Sequence, residues 1–276
     1  MINTILGYLH RSRYYKIVCL FCQMGYLLKG HGWVSVRYRR EFRAYEFRVD
    51  GDIYLSNGPG WAYTFQNLAD ILRRGFTHFY QPKAGDCVID IGSGLGEEVA
   101  VYAPSVTSTG SVYALEANPY SFAGLKYLCE KNNYSWVRPV QLAVFNVDGE
   151  VTIDDDPDNY LKNTINTGDG AVKKYTVKAL TIDSFIRQQG ISRIDFLKCN
   201  IEGAEQFMIE GMSDAIQIID NMCISCHDFR HTYNNESSFY ITKQKVIDFL
   251  DNNGYRILLR KTNDVVVSDY VYASRR

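Results

Sequence analysis

The chain has 276 residues, of which 46% are hydrophobic and 22% charged, and its formal net charge at pH 7 is −1. This length accommodates one large α/β domain with an extension, or two small domains. The near-zero net charge argues against a protein that binds nucleic acid through bulk positive charge. No stretch reaches the roughly 18 to 20 uninterrupted apolar residues of a membrane-spanning helix, so we expect a globular protein without a membrane span.

The seven cysteines are an odd number and do not follow the spacing of a small secreted domain. We interpret them as reduced thiols of a cytoplasmic protein. Two Cys-x-x-Cys pairs, Cys19/Cys22 and Cys223/Cys226, have a spacing that zinc sites use. The second pair falls in a strand-like run, where residues three apart point to opposite faces. We therefore predict buried core cysteines and no metal.

The N-terminal segment is basic and has helical periodicity. Residues 1–50 contain nine Lys or Arg against three Asp or Glu. Up to about residue 30, apolar side chains recur at helical intervals, namely Ile5, Leu9, Ile17, Leu20, Phe21 and Leu27. An amphipathic helix that docks on the main domain is the preferred interpretation, and a weak contact with a membrane surface is the alternative.

A hairpin is predicted next, because alternating residues between Trp33 and Tyr54 flank an Asp50-Gly51 turn. A glycine-rich loop, 57–60, and a helix, 65–74, then lead into the rest of the chain. We assign residues 1–80 to an N-terminal helical and β-hairpin extension that acts as a substrate lid or docking element, and residues 81–276 to the main domain. The extension also offers a surface for oligomer formation.

From residue 81 the chain alternates strands and helices, which predicts parallel strands joined by helical crossovers. Strands are predicted near 87–91, 112–116, 140–144, 196–200 and 222–226, and helices near 96–103, 120–132, 182–189 and 204–212. Residues 149–179 interrupt the alternation with two strands around a polar loop, 154–170. A helix at 242–252 and an antiparallel hairpin of strands 255–259 and 265–272 complete an α/β sheet of about seven strands.

The stretch 86–98 is the most informative part of the chain. A short apolar strand runs into three glycines, Gly92, Gly94 and Gly96, which permit a tight turn and the close approach of a ligand. Asp90 can accept a hydrogen bond from a cationic ligand group. Glu97 and Glu98 place negative charge at the start of the next helix, where a pyrophosphate would otherwise bind. A positively charged nucleoside is therefore favoured over a dinucleotide.

Glu116 ends the second predicted strand, 24 residues after Gly92, where doubly wound folds place an acid that binds ribose hydroxyls. An ordinary exposed acid at a strand end is the alternative interpretation. An NAD(P)-dependent oxidoreductase of Rossmann-like fold is the alternative function, since Tyr127 and Lys131 have the spacing of a reductase pair. They lie on the helix after the second strand, however, away from the usual place. A non-catalytic nucleoside-binding module is the third hypothesis.

The run Asp90-Ile-Gly-Ser-Gly-Leu-Gly96, together with Glu116, resembles the cofactor signature of class I S-adenosylmethionine-dependent methyltransferases. The runs 180–185 (Leu-Thr-Ile-Asp-Ser-Phe) and 194–205 (Ile-Asp-Phe-Leu-Lys-Cys-Asn-Ile-Glu-Gly-Ala-Glu) resemble the FkbM family of these enzymes. The similarity covers roughly residues 84–230. It implies a Rossmann-like sheet with helices on both faces, S-adenosyl-L-methionine as cofactor, and O-methylation of a small molecule, sugar, polyketide or short peptide in natural product biosynthesis.

The resemblance also assigns roles to residues by their positions in the motifs. Asp90, Gly92 and Gly94 would surround the methionine end of the cofactor, and Glu116 would bind its ribose. Leu142 and Ala143 would lie near the adenine. Gly96 and Ala117 are further cofactor-binding candidates. The family usually has Asp where this chain has Asn200, and an amide is a poor base or metal ligand. We keep Asn200 as a substrate-binding candidate, with a helix cap as the structural alternative.

A hydroxyl acceptor must lose a proton to a group with a suitable pKa. His227 follows the fifth predicted strand, at the sheet edge where such folds bind ligands, and is the leading candidate base; Glu202 is the second catalytic candidate. A structural histidine and a metal site with Asn200, Glu202 and Asp228 are the alternatives. A carboxylate acceptor needs no strong base, which would make His227 a positioning group. Lys198 must find a buried partner, and we expect it to order the glutamates.

The acceptor pocket is expected from the extension and from residues 154–170. Trp61, Tyr63 and His78 are the candidate substrate-binding residues of the extension. Its positive charge favours an anionic acceptor.

Overall fold

The computed structural model describes residues 2–60, 63–155 and 173–276. The helices within these ranges are α1 (Ile2–Arg11), α2 (Tyr15–Leu28), α3 (Phe65–Arg74), α4 (Val99–Val106), α5 (Pro119–Lys131), α6 (Ile182–Gln189), α7 (Glu205–Glu210), α8 (Asp228–Asn234), α9 (Lys243–Asn252) and α10 (Val265–Ser268). The strands are β1 (Ser35–Arg39), β2 (Ala44–Val49), β3 (Asp52–Ser56), β4 (Cys87–Ile91), β5 (Ser111–Glu116), β6 (Val137–Gln141), β7 (Ala143–Val144), β8 (Gly149–Asp155), β9 (Lys173–Leu180), β10 (Ile194–Cys199), β11 (Ile219–Ser225), β12 (Tyr255–Leu259) and β13 (Tyr270–Arg275).

The main sheet has seven strands in the order β12-β13-β11-β10-β4-β5-β6. β4 pairs in parallel with β5 on one side and with β10 on the other, whereas β13 is antiparallel to both β11 and β12. The predicted seven-stranded, mostly parallel sheet with an antiparallel final hairpin is confirmed. The strand order reverses at β4, and a doubly wound sheet binds its ligand at the carboxyl ends of the strands there.

Two strands differ from the prediction. The predicted strand 265–272 is instead the short helix α10 followed by β13, because the Asp264 carboxylate accepts hydrogen bonds from the N–H groups of Val266 and Val267 and starts a helical turn. The three valines at 265–267 favour a strand only as a local propensity, which this cap outweighs. The predicted strand 140–144 is divided between β6 and β7, and β7 pairs with β9 in a separate three-stranded sheet.

The predicted hairpin of the extension is confirmed. Asp50 and Gly51, between β2 and β3, have φ values of +53° and +95°, which a two-residue hairpin turn of this type requires. The hairpin packs on α5, where the Ile53 N–H donates to Asn132 Oδ1 at 2.8 Å and the Asn132 side chain donates back to the Ile53 carbonyl at 2.8 Å. The extension thus shares one hydrophobic core with the main sheet, while the division at residue 80 stays a prediction.

Each face of the main sheet carries its own core. The helices α4 and α5 with the extension cover one face, and α6, α7 and α9 cover the other. Cys223 packs in the first core and Cys226 in the second, as the strand periodicity predicts. All seven cysteines are free, and burial raises the pKa of the Cys22 thiol to about 11.

The helix α2 docks through a different face from the one that the apolar spacing suggests. Its buried residues are Val18, Cys19, Cys22 and Tyr26, which form a stripe at the i, i+4, i+8 spacing of one helical face. Ile17, Leu20, Phe21 and Leu27, which we expected to dock, are instead 42–54% exposed. None of the helices in the described ranges has the length and apolar character needed to cross a bilayer.

Candidate functional site

The glycine loop between β4 and α4 touches the loop that follows β10. Gly92, Gly94 and Gly96 have φ values of +75°, +54° and +89°, a region that other residues enter at a cost. A Cβ atom at Gly92 would lie 2.0 Å from the backbone oxygen of Asn200. Only glycine therefore lets these two strand ends come together. The helix begins at Val99 rather than near Gly96 as predicted, so Glu97 and Glu98 precede it.

We expect Gly92→Ala to destabilise the fold and to abolish ligand binding at this loop. The matched control is Gly85→Ala, since Gly85 also has a positive φ, +90°, but no atom lies within 4 Å of its Cβ position. Both variants have the strained backbone, and only the first has the clash. Chemical denaturation should show Gly92→Ala less stable than Gly85→Ala by about 1–3 kcal/mol. Equal losses would contradict a close approach of the two loops.

A cavity opens beside this loop at the carboxyl ends of β4, β5 and β10. Eight residues predicted as cofactor, substrate or catalytic groups line it: Gly92, Gly94, Glu116, Ala117, Leu142, Ala143, Asn200 and Glu202. Among the lining residues that we did not predict are Asn118, Ser121 and Ile153. Ile153 comes from β8. The pairing of β8 with β9, which places Ile153 at the cavity, has no local signal in the sequence.

Glu116 forms the polar wall of the cavity. Its two carboxylate oxygens accept hydrogen bonds at 2.7 Å from the N–H groups of Gly94 and Asn118. Burial raises the pKa of Glu116, and the two N–H donors and Lys198 oppose that rise. Each oxygen retains a second lone pair, so the carboxylate can accept from two neighbouring hydroxyl groups. The apolar side chains of Leu142, Val144 and Ile153 also line the cavity.

Asp90 lies behind the glycine loop and is not among the residues that line the cavity. Asp90 and Lys198 are cross-strand neighbours on β4 and β10, both are 0% exposed, and Lys198 Nζ lies 2.9 Å from Asp90 Oδ1. The same ammonium donates to the Gly92 carbonyl at 2.9 Å. Burial opposes its charge, but Asp90 and Glu98 outweigh burial and raise the pKa of Lys198. Lys198 therefore holds the glycine loop, and our expectation that it orders the glutamates after β10 is wrong.

Asn200 does not cap the helix that follows it. The N-cap of α7 is Ala204, so the capping alternative is wrong. The Asn200 Oδ1 atom is buried and accepts no hydrogen bond from the described residues, and neither Asp90 oxygen accepts one of good geometry. Buried acceptors without donors are costly. A ligand that brings an N–H donor into the cavity would satisfy the Asn200 oxygen, whereas the Asp90 carboxylate lies behind the loop with the Lys198 ammonium 2.9 Å away.

The two catalytic candidates, His227 and Glu202, lie next to each other and have Glu205 and Arg230 as further partners. His227 Nε2 lies 3.3 Å from Glu202, and Nδ1 lies 2.8 Å from Glu205, which is fully buried. Arg230 donates to the other Glu202 oxygen at 2.7 Å and also pairs with Glu236. Glu202 has a φ of +53°, which is a strained backbone conformation. Its ion pairs with His227 and Arg230 help to hold it there.

The protonation state of His227 argues against its role as a base. Burial disfavours the charged ring, but the charge of Glu205 and the hydrogen bonds to Glu202 and Glu205 outweigh burial and raise the pKa of His227 to about 10. An imidazolium at neutral pH has no free lone pair with which to accept a proton. The geometry thus favours the positioning alternative, in which His227 fixes Glu202 at the rim of the cavity.

We expect the free energy of unfolding to decrease as the pH rises between the two pKa values of His227, in the unfolded and in the folded chain. Its pKa is about 10 in the folded chain against an ordinary value of 6.5, so the stabilisation is complete below pH 6.5 and is lost as the pH rises to about 10. The slope contributed is at most about 1.4 kcal/mol per pH unit. Urea denaturation of the wild type and His227→Gln should show this slope only in the wild type. The exposed His78→Gln is the control; parallel curves for His227→Gln and wild type would contradict a protonated His227.

The glutamate before α4 meets the extension. Glu97 is half-buried, and burial and the neighbouring Glu98 raise its pKa to about 7, while a hydrogen bond from Ser56 opposes that rise. Ser56 is the last residue of β3 and lies 2.6 Å, oxygen to oxygen, from the hydroxyl of Tyr63. Burial and, next, the charge of Glu97 raise the pKa of Tyr63 to about 12. One predicted substrate-binding residue, Tyr63, therefore lies beside the glycine loop.

The other acceptor candidates are not at the cavity or are not described. The ring of His78 contacts Phe79 and Tyr272, and its Nδ1 contacts the Arg73 carbonyl. Trp61 and most of the predicted 154–170 loop lie outside the described residues.

The metal alternative finds no support in the described ranges, where no group of three ligating side chains converges. The Asp228 carboxylate accepts hydrogen bonds from the N–H groups of Thr242 and Lys243, at 2.8 and 3.0 Å, and so holds the start of α9.

The tyrosine of the reductase pair, Tyr127, makes hydrogen bonds away from the cavity. The Tyr127 hydroxyl donates to Glu46 and accepts from Arg39, on the side of α5 that faces the hairpin.

Comparison with known proteins identifies one family. The family described as methyltransferase FkbM domain matches residues 90–257, which is 168 of the 276 residues. No curated protein matches the chain.

Several solved structures are similar in fold. Methyltransferase FkbM from Methylobacillus flagellatus KT is 15% identical over 71% of this chain and 45% of its own, with a TM-score of 0.47; this chain thus spans less than half of that protein. Aeropyrum pernix fibrillarin, in complex with natively bound S-adenosyl-L-methionine, is 14% identical over 87% and 97%, with a TM-score of 0.42. The Bacillus cereus O-methyltransferase in complex with SAH is 12% identical over 77% and 80%, with a TM-score of 0.46.

Proposed function

The chain belongs to the FkbM methyltransferase family, and from that premise we propose that it is an S-adenosylmethionine-dependent O-methyltransferase. Its acceptor is a hydroxyl or a carboxylate of a small molecule, sugar, polyketide or short peptide in a biosynthetic pathway. The observation that carries the proposal is the cavity at the switch point of the sheet, which the Glu116 carboxylate and several apolar side chains line together.

The chemistry of the cavity fits the cofactor. Glu116 would accept hydrogen bonds from the two ribose hydroxyls, and Leu142, Ala143 and Ile153 would contact the adenine ring. The unpartnered oxygen of Asn200 would accept from the ammonium group at the methionine end. Each of these groups is thus chemically complementary to the part of the cofactor that it would contact.

The charges around the loop support a cationic ligand. Burial raises the pKa values of Glu97, Glu98 and Glu116, their neighbouring carboxylates raise them further, and Lys198 is the cation that opposes the rise in all three. The carboxylates therefore outnumber their buried cation. These carboxylates attract a ligand that carries a sulfonium and an ammonium group, whereas they repel a pyrophosphate. This charge excess is our reason to prefer the methyl donor over a nicotinamide dinucleotide.

The bound cofactor supplies a methyl group already activated by its positive sulfur, so the protein must mainly align the acceptor oxygen with it. Glu202 is held at the rim of the cavity by His227 and Arg230, and in the proposal it orients the acceptor. A carboxylate acceptor needs no base. For a hydroxyl acceptor, Glu97 is a better proton acceptor than His227, because its pKa of about 7 lies near neutral pH.

Methyl transfer is tested directly with cofactor that carries a deuterated methyl group and a panel of hydroxylated sugars, polyketides and peptide carboxylates. Mass spectrometry should find the heavy methyl on an oxygen of one class. With a hydroxyl acceptor, Glu97→Gln should lower kcat by about 100-fold at pH 7; with a carboxylate acceptor it should not. Cofactor binding without transfer to any oxygen or other atom would favour the non-catalytic module, and transfer to nitrogen or carbon would overturn the O-methyl assignment.

A further inference from the structure

The helix α2 has a second apolar face that the described part of the chain does not cover. Six residues form this face: Ile17, Leu20, Phe21, Met24, Leu27 and Leu28. They are 42–85% exposed, and they recur at three- and four-residue intervals on the side opposite the buried stripe. No charged side chain interrupts them. A monomeric soluble protein rarely presents so continuous an apolar stripe to water, so the face indicates a binding surface.

A basic groove borders the apolar face. The side chains of Arg13, Lys16, Arg37 and Arg40 line it, together with Tyr14 and Tyr38. No carboxylate in the described ranges pairs with any of these four cations. The first 40 residues contain seven Lys or Arg and no Asp or Glu. The groove therefore carries a net positive charge that no carboxylate of the described residues neutralises.

Trp33, in the loop after α2, is 73% exposed. Tryptophan is enriched where a protein meets the headgroup layer of a membrane, because its ring is apolar and its N–H is polar. An apolar helical face bordered by unpaired cations and an exposed tryptophan is the composition of a helix that lies in a membrane surface.

We propose that the outward face of α2 and the basic groove beside it bind the surface of a lipid bilayer that contains anionic lipids. The six apolar side chains enter the boundary between headgroups and acyl chains, and the four cations meet lipid phosphates. The helix lies in the plane of the surface, since its 14 residues are too few to cross a bilayer.

A second copy of the chain is a poorer occupant of this face. In a two-fold dimer the same patch lies on both subunits, so the two basic grooves would approach each other. The first 40 residues of either copy contain no acid that could neutralise this repulsion. An anionic lipid supplies both an apolar layer, through its acyl chains, and negative charge, through its phosphate. The anionic bilayer is thus the occupant that the charges favour.

Co-sedimentation with vesicles tests the proposal. The wild type should bind vesicles of equal parts phosphatidylcholine and phosphatidylglycerol, should bind phosphatidylcholine vesicles weakly, and should lose binding at high salt. Leu20→Ser should weaken binding about tenfold, and Arg37→Gln about fivefold. The matched control is Leu259→Ser, because Leu259 is as exposed as Leu20, 50% against 52%, but lies on β12; it should bind as the wild type does.

Cofactor affinity and thermal stability, measured for each variant, should stay unchanged, which separates lost membrane binding from a lost fold and from a failure of the proposed activity. Vesicle binding by Leu20→Ser equal to that of the wild type would overturn the proposal. So would a wild type that does not bind the anionic vesicles. In that case light scattering tests the other occupant: a dimer that Leu20→Ser dissociates assigns the face to a second copy of the chain.

Discussion

Glu116→Ala should raise the dissociation constant for S-adenosylmethionine about 100-fold, because two charge-assisted hydrogen bonds to the ribose are lost at about 1.5 kcal/mol each. Isothermal titration calorimetry measures this change. Glu130→Ala is the control, since Glu130 is a 62% exposed glutamate on α5 that pairs only with the exposed Lys126 in the described chain. It should bind the cofactor as the wild type does.

The role of Glu116 is separated from a general loss of the loop by a second ligand. A cofactor analogue without the two ribose hydroxyls should bind the wild type weakly and should bind Glu116→Ala equally weakly. If Glu116 instead acts only by holding the N–H groups of Gly94 and Asn118, the analogue should lose affinity on going from wild type to the variant. That result would contradict the direct contact with the ribose.

Lys198→Met should destabilise the protein by about 3–5 kcal/mol, because it leaves the buried Asp90 carboxylate without its cation. Both side chains are 0% exposed, and the Gly92 carbonyl also loses its donor. Urea denaturation of the apoprotein measures the loss. The control is Lys126→Met, which removes a 63% exposed lysine of a surface ion pair and should cost less than about 1 kcal/mol.

The double variant Asp90→Asn/Lys198→Met identifies the cause. Removal of both charges should recover at least half of the loss, since no isolated buried charge remains. Recovery is expected to be incomplete because Glu98 and Glu116 also interact with the ammonium. A Lys198→Met protein within 1 kcal/mol of the wild type, or a double variant no more stable than the single one, would contradict the ion pair as the support of the glycine loop.

The parts of the fold and site that local sequence determines could be predicted. The strand β4 is a short apolar run ending in glycines, and the three glycines all have positive φ values. The spacing from Gly92 to Glu116 depends only on one helix and one strand, so both residues were expected at one cavity, where the structure places them. The hairpin turn at Asp50-Gly51 is equally local.

The parts that depend on register and burial could not be predicted. Lys198 meets Asp90 because β10 and β4 are paired in one particular parallel register, which no short motif encodes. His227 has a raised pKa only because Glu202, in the loop after β10, and Glu205, at the start of α7, converge on it. The apolar periodicity of α2 predicted a helix but not which of its two apolar faces is buried, because both faces follow the same spacing.

The central claim is that the cavity beside the glycine loop binds the methyl donor rather than a nicotinamide dinucleotide. Calorimetric titration of the wild-type protein with S-adenosylmethionine, and separately with NAD and NADP, tests it most directly. We expect one site for S-adenosylmethionine, weakened by Glu116→Ala and abolished by Gly92→Ala, and no binding of either dinucleotide. Binding of a dinucleotide alone would contradict it.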